Sequence, residues 1–272
     1  MKWLTPGGLV AACAVGAGVT WGLGWPGLAL LTAFFLTGSV LTQLAEHRGP
    51  SRNARQVLAN GGVALLAALL GSWAGAAGAI AAAAADTWAT EIGAYSPFPP
   101  RLITSGVRVT RGTSGGITAL GTLGGVAGAA LISGLTAAFA PRGLALGFVM
   151  LTAAGVAGML ADSLLGATLQ GKYECPACDA RFERGNTVCH EPVRLARGWR
   201  WLDNDGVNLA ATLVGAAAAV LTAASRPTAG MSSSSGPVRP ARRLPCCSPA
   251  RAHRSCSWTA PVSLATKRVP ST

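Results

Sequence analysis

Apolar residues along the chain fall in blocks separated by short polar stretches. The first block covers about residues 7–23 and the second about 26–43, with Pro26 marking the turn between them. A polar stretch from Glu46 to Arg55 follows, then an apolar run from about Val57 to Ala85. As one helix that run would span roughly 43 Å, against a ~30 Å hydrocarbon core. Glycines at 71, 75 and 78 interrupt it, and the pattern predicts two short helices at about 55–71 and 74–92, with a single long tilted helix as the alternative. Blocks at about 115–139 and 144–168 predict a hairpin turning at Pro141-Arg142-Gly143, and a final block covers about 206–224. Runs of roughly 17–25 residues with few charges have the length of membrane helices. Lipid offers no hydrogen-bond partners, so such runs must satisfy their own backbone groups as helices. The expected fold is all-α, a polytopic membrane helix bundle of about seven transmembrane helices, or six if 57–85 is one helix.

Composition agrees, since only 12% of residues are charged where soluble domains carry about 25%. The first block lacks a small-residue cleavage site and reads as a retained helix. The net charge of +12 is uneven: residues 226–272 hold eight basic and no acidic residues, and residues 1–225 carry 14 bases against 10 acids. Seven helices place the basic loops 45–55, 94–114 and 170–205 on one face with Lys2, which the positive-inside tendency makes cytoplasmic. A multi-pass protein of the cell membrane is expected, with the lipid bilayer as its partner. No basic face or aromatic platform accompanies the charge, so a nucleic-acid partner is not expected. Residues 1–225 form the expected bundle. Residues 226–272 are a basic Ser/Pro/Arg-rich tail without periodicity, expected to be disordered.

Acidic residues at membrane depth are costly and point to function. Asp86 and Glu91 lie in Ala-Asp-Thr-Trp-Ala-Thr-Glu-Ile-Gly (85–93), and Asp162 in Leu-Ala-Asp-Ser-Leu-Leu-Gly (160–166). All three fall near one membrane face in the seven-helix arrangement, and oxygen ligands there suit Mg²⁺ shared with substrate phosphates. Helix capping is the plainer role, above all for Asp203 and Asn204 in the cluster that precedes the last helix and ends at Asn208. Between the acids lies Arg108-Val-Thr-Arg111-Gly112-Thr113-Ser114-Gly115-Gly116. Its small residues let backbone N–H groups approach an anion, it is expected to open a helix, and its arginines add charged donors. It is not a P-loop, lacking the Gly-Lys-Ser/Thr ending. The 170–205 loop carries Cys175-Pro-Ala-Cys178 and then Cys189-His190, which are candidate zinc ligands although adjacent ligands strain one tetrahedron. Reduced thiols are the plainer reading. The odd cysteine count argues against a disulfide framework.

Several strings resemble, in order, the signatures of an integral-membrane family catalogued as domain of unknown function 92, which includes animal transmembrane protein 19 and plant phytyl-phosphate kinase. They are Arg52-Asn-Ala-Arg-Gln-Val-Leu-Ala-Asn60-Gly-Gly, Asp86-Thr-Trp-Ala-Thr-Glu91-Ile-Gly, Gly112-Thr-Ser-Gly-Gly116, Asp162-Ser-Leu-Leu-Gly-Ala-Thr-Leu-Gln170 and Trp201-Leu-Asp-Asn-Asp-Gly-Val-Asn208. The resemblance covers about residues 5–224. Bacterial relatives tend to have His-Cys-Gly where this chain has Cys189-His190-Glu191. The resemblance implies a membrane-embedded prenyl (phytyl-like) phosphate kinase or a related nucleotide-dependent phosphotransferase. Asp86, Glu91 and Asp162 would hold Mg²⁺ and the phosphates of a nucleotide triphosphate, CTP or another. Arg108, Arg111 and Gly112–Gly116 would steady the transferring phosphoryl group, and Asn204 and Asn208 the head group. The rival expectation is an ion- or lipid-coupled membrane transporter without covalent chemistry, in which the carboxylates line an ion path.

Overall fold

The computed structural model describes residues 3–45, 51–140, 147–178, 180–182 and 189–225. Two compact units divide the chain, 1–229 and 230–272, and every described residue lies in the first. The tail from 226, Asp179, residues 183–188 and the 141–146 turn lie outside the described residues, as do Glu46 and His47.

The first helix, α1 (Pro6–Leu44), is 39 residues long and is broken at Gly24, where φ is 72° and ψ −169°. A straight helix would separate residues 3 and 35 by about 48 Å. Instead the Trp3 and Phe35 rings meet edge to face with centroids 5.9 Å apart. The helix therefore folds back on itself as two antiparallel arms, 6–23 and 25–44, each long enough to cross a bilayer. Gly24 supplies the left-handed backbone of the turn and Pro26 starts the second arm.

The next apolar run is also two helices, α2 (Ala54–Leu69) and α3 (Trp73–Gly93), separated by Gly71 at φ 70°. Each has a side-chain cap: Asn53 forms a capping box with Gln56, and Ser72 accepts from the Gly75 N–H. Then come α4 (Ala119–Phe139), α5 (Phe148–Thr168) and α6 (Asn204–Ala224). Counting the arms of α1 separately, the described residues form seven helical segments. α1, α4, α5 and α6 are each apolar and long enough to span a membrane, while α2 is a shorter apolar helix.

The helix α3 is the axis of the bundle. It touches all five other helices, which surround it in the order α1, α2, α6, α5, α4. Ala74 to Ala85 are buried without a break, because a helix enclosed on every side has no solvent or lipid face. Only Ala, Gly and one Ile fill this stretch, and small residues let neighbouring backbones approach in lipid. The neighbours answer in kind: a Cβ on Gly78 would lie 2.4 Å from Gly215 O, and one on Gly128 would lie 2.8 Å from Ala84 O. Beyond Ala85 the helix turns polar and half-buried as Asp86, Thr87, Trp88 and Glu91 appear.

The arms alternate in direction, so the described parts of 45–53, 94–118 and 169–203 gather on one face, here termed the loop face. Every described Lys and Arg lies there. Two small sheets brace it. β1 (Arg101–Leu102) pairs antiparallel with β2 (Gly116–Ile117), and β3 (Lys172–Glu174) lies between β4 (Arg181–Phe182) and β5 (Arg194–Arg197).

Candidate functional site

Three oxygen-bearing side chains stand at about one level of the bundle, a layer near the loop face. A Cβ on Gly158 would sit 2.4 Å from Ala82 Cβ and 2.8 Å from Ala211 O, which fixes the level of α3, α5 and α6 at that crossing. α3 and α5 run toward the loop face and α6 runs away from it. About one turn nearer that face, about 6 Å along α3 and α5 and about 4.5 Å along α6, are Asp86, Asp162 and Asn208. All three are half-buried, and the Oδ1 atom of Asp162 is wholly shielded from solvent. Two carboxylates and an amide carbonyl at one level are the oxygen donors a hard divalent cation takes.

Glu91 is not in this group. Five residues along a helix turn it about 140° from Asp86, and it faces α1. There Thr42 Oγ1 donates to Glu91 Oε1 at 2.6 Å. The Glu91 carboxylate also attracts the Arg52 guanidinium, whose pKa is pulled down by burial and partly restored by that charge. Arg52 Nη1 donates to Ser39 Oγ at 3.4 Å, and its guanidinium lies 5.8 Å from the centre of the Phe35 ring. Its backbone is pinned as well, since Arg52 N–H donates to Trp3 O at 3.0 Å and Thr5 N–H to Arg52 O at 3.1 Å.

Arg52 stands at the mouth of a cavity of about 200 Å³ enclosed by both arms of α1, α2 and α3. Gln56, Asn60 and Thr87 join it on the polar side, and Val15, Leu28, Leu31, Phe34 and Phe35 form the apolar body. A larger open groove, about 910 Å³, runs along the outside of the α1 hairpin past Leu9, Trp21 and Leu28. The two share Ala12, Gly16, Leu28 and Phe35, so the cavity lies directly behind the groove. In the sequence Arg52, Gln56 and Asn60 figure only as part of a signature, without a role of their own. The available signal is their spacing: on a helix starting at 54, residues 56 and 60 fall on one face, just below Arg52.

The Gly112–Gly116 run does not open a helix. Gly112 and Gly115 have φ of 81° and 82°, and the segment makes a tight turn closed by Gly116 N–H to Thr113 O at 2.9 Å before entering β2. α4 begins later and carries its own cap, Thr118, whose hydroxyl accepts from the Gly121 N–H. The turn nevertheless reaches the layer's edge. It packs on the end of α5, where a Cβ on Gly166 would lie 3.2 Å from Gly115 N and 3.3 Å from Ser114 Cβ. Gly166 is one turn above Asp162. Lys172 Nζ donates to Ser114 O at 3.1 Å. Beside it Gln170 is buried, and its Nε2 has no hydrogen-bond partner among the described residues. A buried amide nitrogen left without a partner costs about 1–3 kcal/mol.

The arginines of that segment point elsewhere. Arg111 donates through Nη1 to Ala94 O and through Nη2 to Ser96 O, fastening the loop that follows α3. Arg108 is exposed, its backbone bridged to that of Arg101. In the last cluster Asp203 caps α6, accepting from Gly206 N–H at 3.1 Å. Arg55 bonds Asp203 at 2.8 Å and Asp205 at 3.5 Å. Asn204 is exposed, so only Asn208 reaches the interior. In the loop between α5 and α6, Cys175, Cys178, Cys189 and His190 converge, and amide hydrogen bonds from Glu191 and Ala177 pull the Cys175 thiol down to about 6.

The chain matches the model of an integral membrane protein family, DUF92, over residues 1–216. It is similar to Protein PGR of Arabidopsis thaliana, 33% identical over 230 residues that cover 68% of this chain and 77% of that protein. It is also similar to an uncharacterized membrane protein of Methanocaldococcus jannaschii, 35% identical over 231 residues covering 79% and 83%. A third relative, an uncharacterized membrane protein of Synechocystis, is 29% identical over 239 residues covering 80% and 82%. No solved structure matches this one.

Proposed function

Because this chain belongs to the integral membrane DUF92 family, we propose that it is a membrane-embedded phosphotransferase acting on a prenyl-phosphate-like amphiphile, with a nucleotide triphosphate as donor. The observation that carries this reading is an apolar cavity with a cation and amides on its polar side, lined by Thr87 of α3, next in sequence to the Asp86 carboxylate on that same helix. The cavity's aliphatic and aromatic walls suit an isoprenoid chain, which would reach them sideways from the lipid through the α1 hairpin. Arg52, steadied by Glu91 and Ser39, suits the phosphate head. Asp86 and Asp162, with Asn208, are the residues that would hold Mg²⁺. That ion would neutralise charge on the nucleotide phosphates. Phosphoryl transfer needs chiefly positioning and charge compensation. The bond between the γ-phosphorus and its bridging oxygen breaks, a new bond forms to an oxygen of the substrate monophosphate, and the nucleoside diphosphate leaves. The Gly115 amide, beside Gly166, and the Gln170 Nε2 are uncharged donors at the edge of the layer.

Purified protein in detergent, given prenyl monophosphates of several lengths, Mg²⁺ and each of ATP, CTP and UTP, is expected to form a prenyl diphosphate. Asp86→Asn and Asp162→Asn are each expected to lower the rate at least about 100-fold. Failure of every pairing with folded protein would remove the phosphotransferase reading. Ion- or lipid-dependent flux in liposomes by that same preparation would then favour the transporter.

A further inference from the structure

Between α5 and α6 three thiols and an imidazole meet at a point unrelated to the carboxylate layer. The ligand atoms of Cys175, Cys178, Cys189 and His190 all lie within 4.8 Å of one another. Cys175 follows β3 directly, and its N–H donates to Ala180 O at 2.9 Å while the Cys178 N–H donates to Cys175 O at 3.4 Å. This tight turn carries the chain into β4 and presents the first two thiols on the same side. In the bend ahead of β5, Cys189 Sγ lies 3.6 Å from Cys178 Sγ and 3.3 Å from His190 Nδ1. A tetrahedral zinc ion with Zn–S of about 2.3 Å and Zn–N of about 2.0–2.1 Å has S···S edges of about 3.8 Å and S···N edges of about 3.5 Å. Both separations lie within a few tenths of an ångström of those edges. The adjacency of Cys189 and His190, a source of strain on sequence grounds, is accommodated because the imidazole offers Nδ1, the nitrogen nearer its own backbone.

We propose that Cys175, Cys178, Cys189 and His190 form a structural zinc site that closes the loop between α5 and α6. Four protein ligands leave no position open for water or substrate, which is the pattern of a structural site and not of a catalytic one. β3 and β5 hold the ends of this loop, pairing Lys172–Glu174 with Arg194–Arg197, and the ion holds its middle. Among the described residues of this loop only Tyr173, Cys175 and Leu202 are buried hydrophobics, so metal binding supplies folding free energy to it. β3 runs straight on from α5 and its Lys172 bonds the 114–116 turn, so the site also steadies the platform beside that turn. None of this depends on phosphoryl transfer.

The test uses the full chain carrying C246S, C247S and C256S, so that the tail thiols contribute nothing. Protein purified in detergent without chelator is expected to contain about one zinc per chain by elemental mass spectrometry. C178S and H190A are each expected to reduce that at least about tenfold, with the size-exclusion profile unchanged. Exchange of the unsubstituted cluster with Co²⁺ is expected to give the visible bands of a tetrahedral thiolate site, which decides the matter even if a ligand variant fails to fold. Protein that takes up neither Zn²⁺ nor Co²⁺, or that shows a Cys178–Cys189 disulfide by peptide mapping, would overturn the proposal.

Discussion

Arg52 is held at once by Glu91, Ser39, the face of Phe35 and two backbone bonds to the N-terminal segment. A guanidinium positioned this firmly, with its planar donors beside an apolar cavity, suits a phosphate better than a flexible ammonium would. Arg52→Lys is therefore expected to raise KM for the prenyl phosphate by about tenfold or more with a smaller change in kcat, measured by steady-state kinetics; equal KM values would remove Arg52 from the head-group role. Thr42→Val removes the 2.6 Å bond to Glu91, and a charge-assisted hydrogen bond is worth about 1.5–3 kcal/mol. A lower midpoint in detergent melting is the expected result. Arg111 makes the opposite case. Its donors are committed to Ala94 O and Ser96 O, so Arg111→Ala is expected to loosen the 94–118 loop, read as faster amide exchange there, while leaving KM for nucleotide within about twofold. None of these partnerships is visible in the sequence. Thr42 and Glu91 are 49 residues apart, and no local pattern says which hydroxyl faces which carboxylate.

At the scale of the element, the crossing segments and their breaks are legible in the amino-acid pattern. The reversal at residues 24–26 and the division at Gly71 both rest on glycines that take a positive φ, 72° and 70°, and Pro26 can start a helical arm but not continue one that began ahead of it. The start of α4 is not legible in the same way, because a Gly-rich segment and a helix N-terminus look alike until Thr118 is seen to cap the helix. Close packing around α3 yields its own prediction. Gly158→Ala would drive a Cβ to 2.4 Å from Ala82, and overpacking costs about 1–3 kcal/mol. Gly62→Ala, with nothing within 4 Å of the new carbon, should instead stabilise α2 by about 0.4–1 kcal/mol. Thermal melting of the two variants beside the parent chain checks both signs. Equal losses would mean that the α3–α5–α6 crossing is looser than described.

For the whole molecule, the ring of helices around α3 makes the central helix the packing axis, and its loop-face end carries Asp86, Thr87 and Glu91. Its first half can be only Ala, Gly and a single Ile because five neighbours enclose it, and its polar end opens where their packing slackens. The alternation of arms puts exposed Leu70 and exposed Ser105 on opposite faces. L70C and S105C, in a background without other reactive thiols, are expected to react with an impermeant maleimide from opposite sides of sealed vesicles. Labelling from the same side would reverse the reading of α2 and α3 as separate spans.

Helix number, the breaks between helices and the gathering of basic loops on one face follow from the sequence alone, because hydropathy and backbone breakers act over a few residues. The convergence of the Cys/His quartet is partly visible for the same reason, through its short spacing. Which carboxylates share a layer was decided only by tertiary structure. Asp86 and Glu91 sit on one helix yet lie about 140° apart around it, and Asp86, Asp162 and Asn208 come to about one level because small residues at Ala82, Gly158 and Ala211 set the heights of three helices. Rotation and height of packed helices are set by contacts between distant segments, and hydropathy carries no record of them.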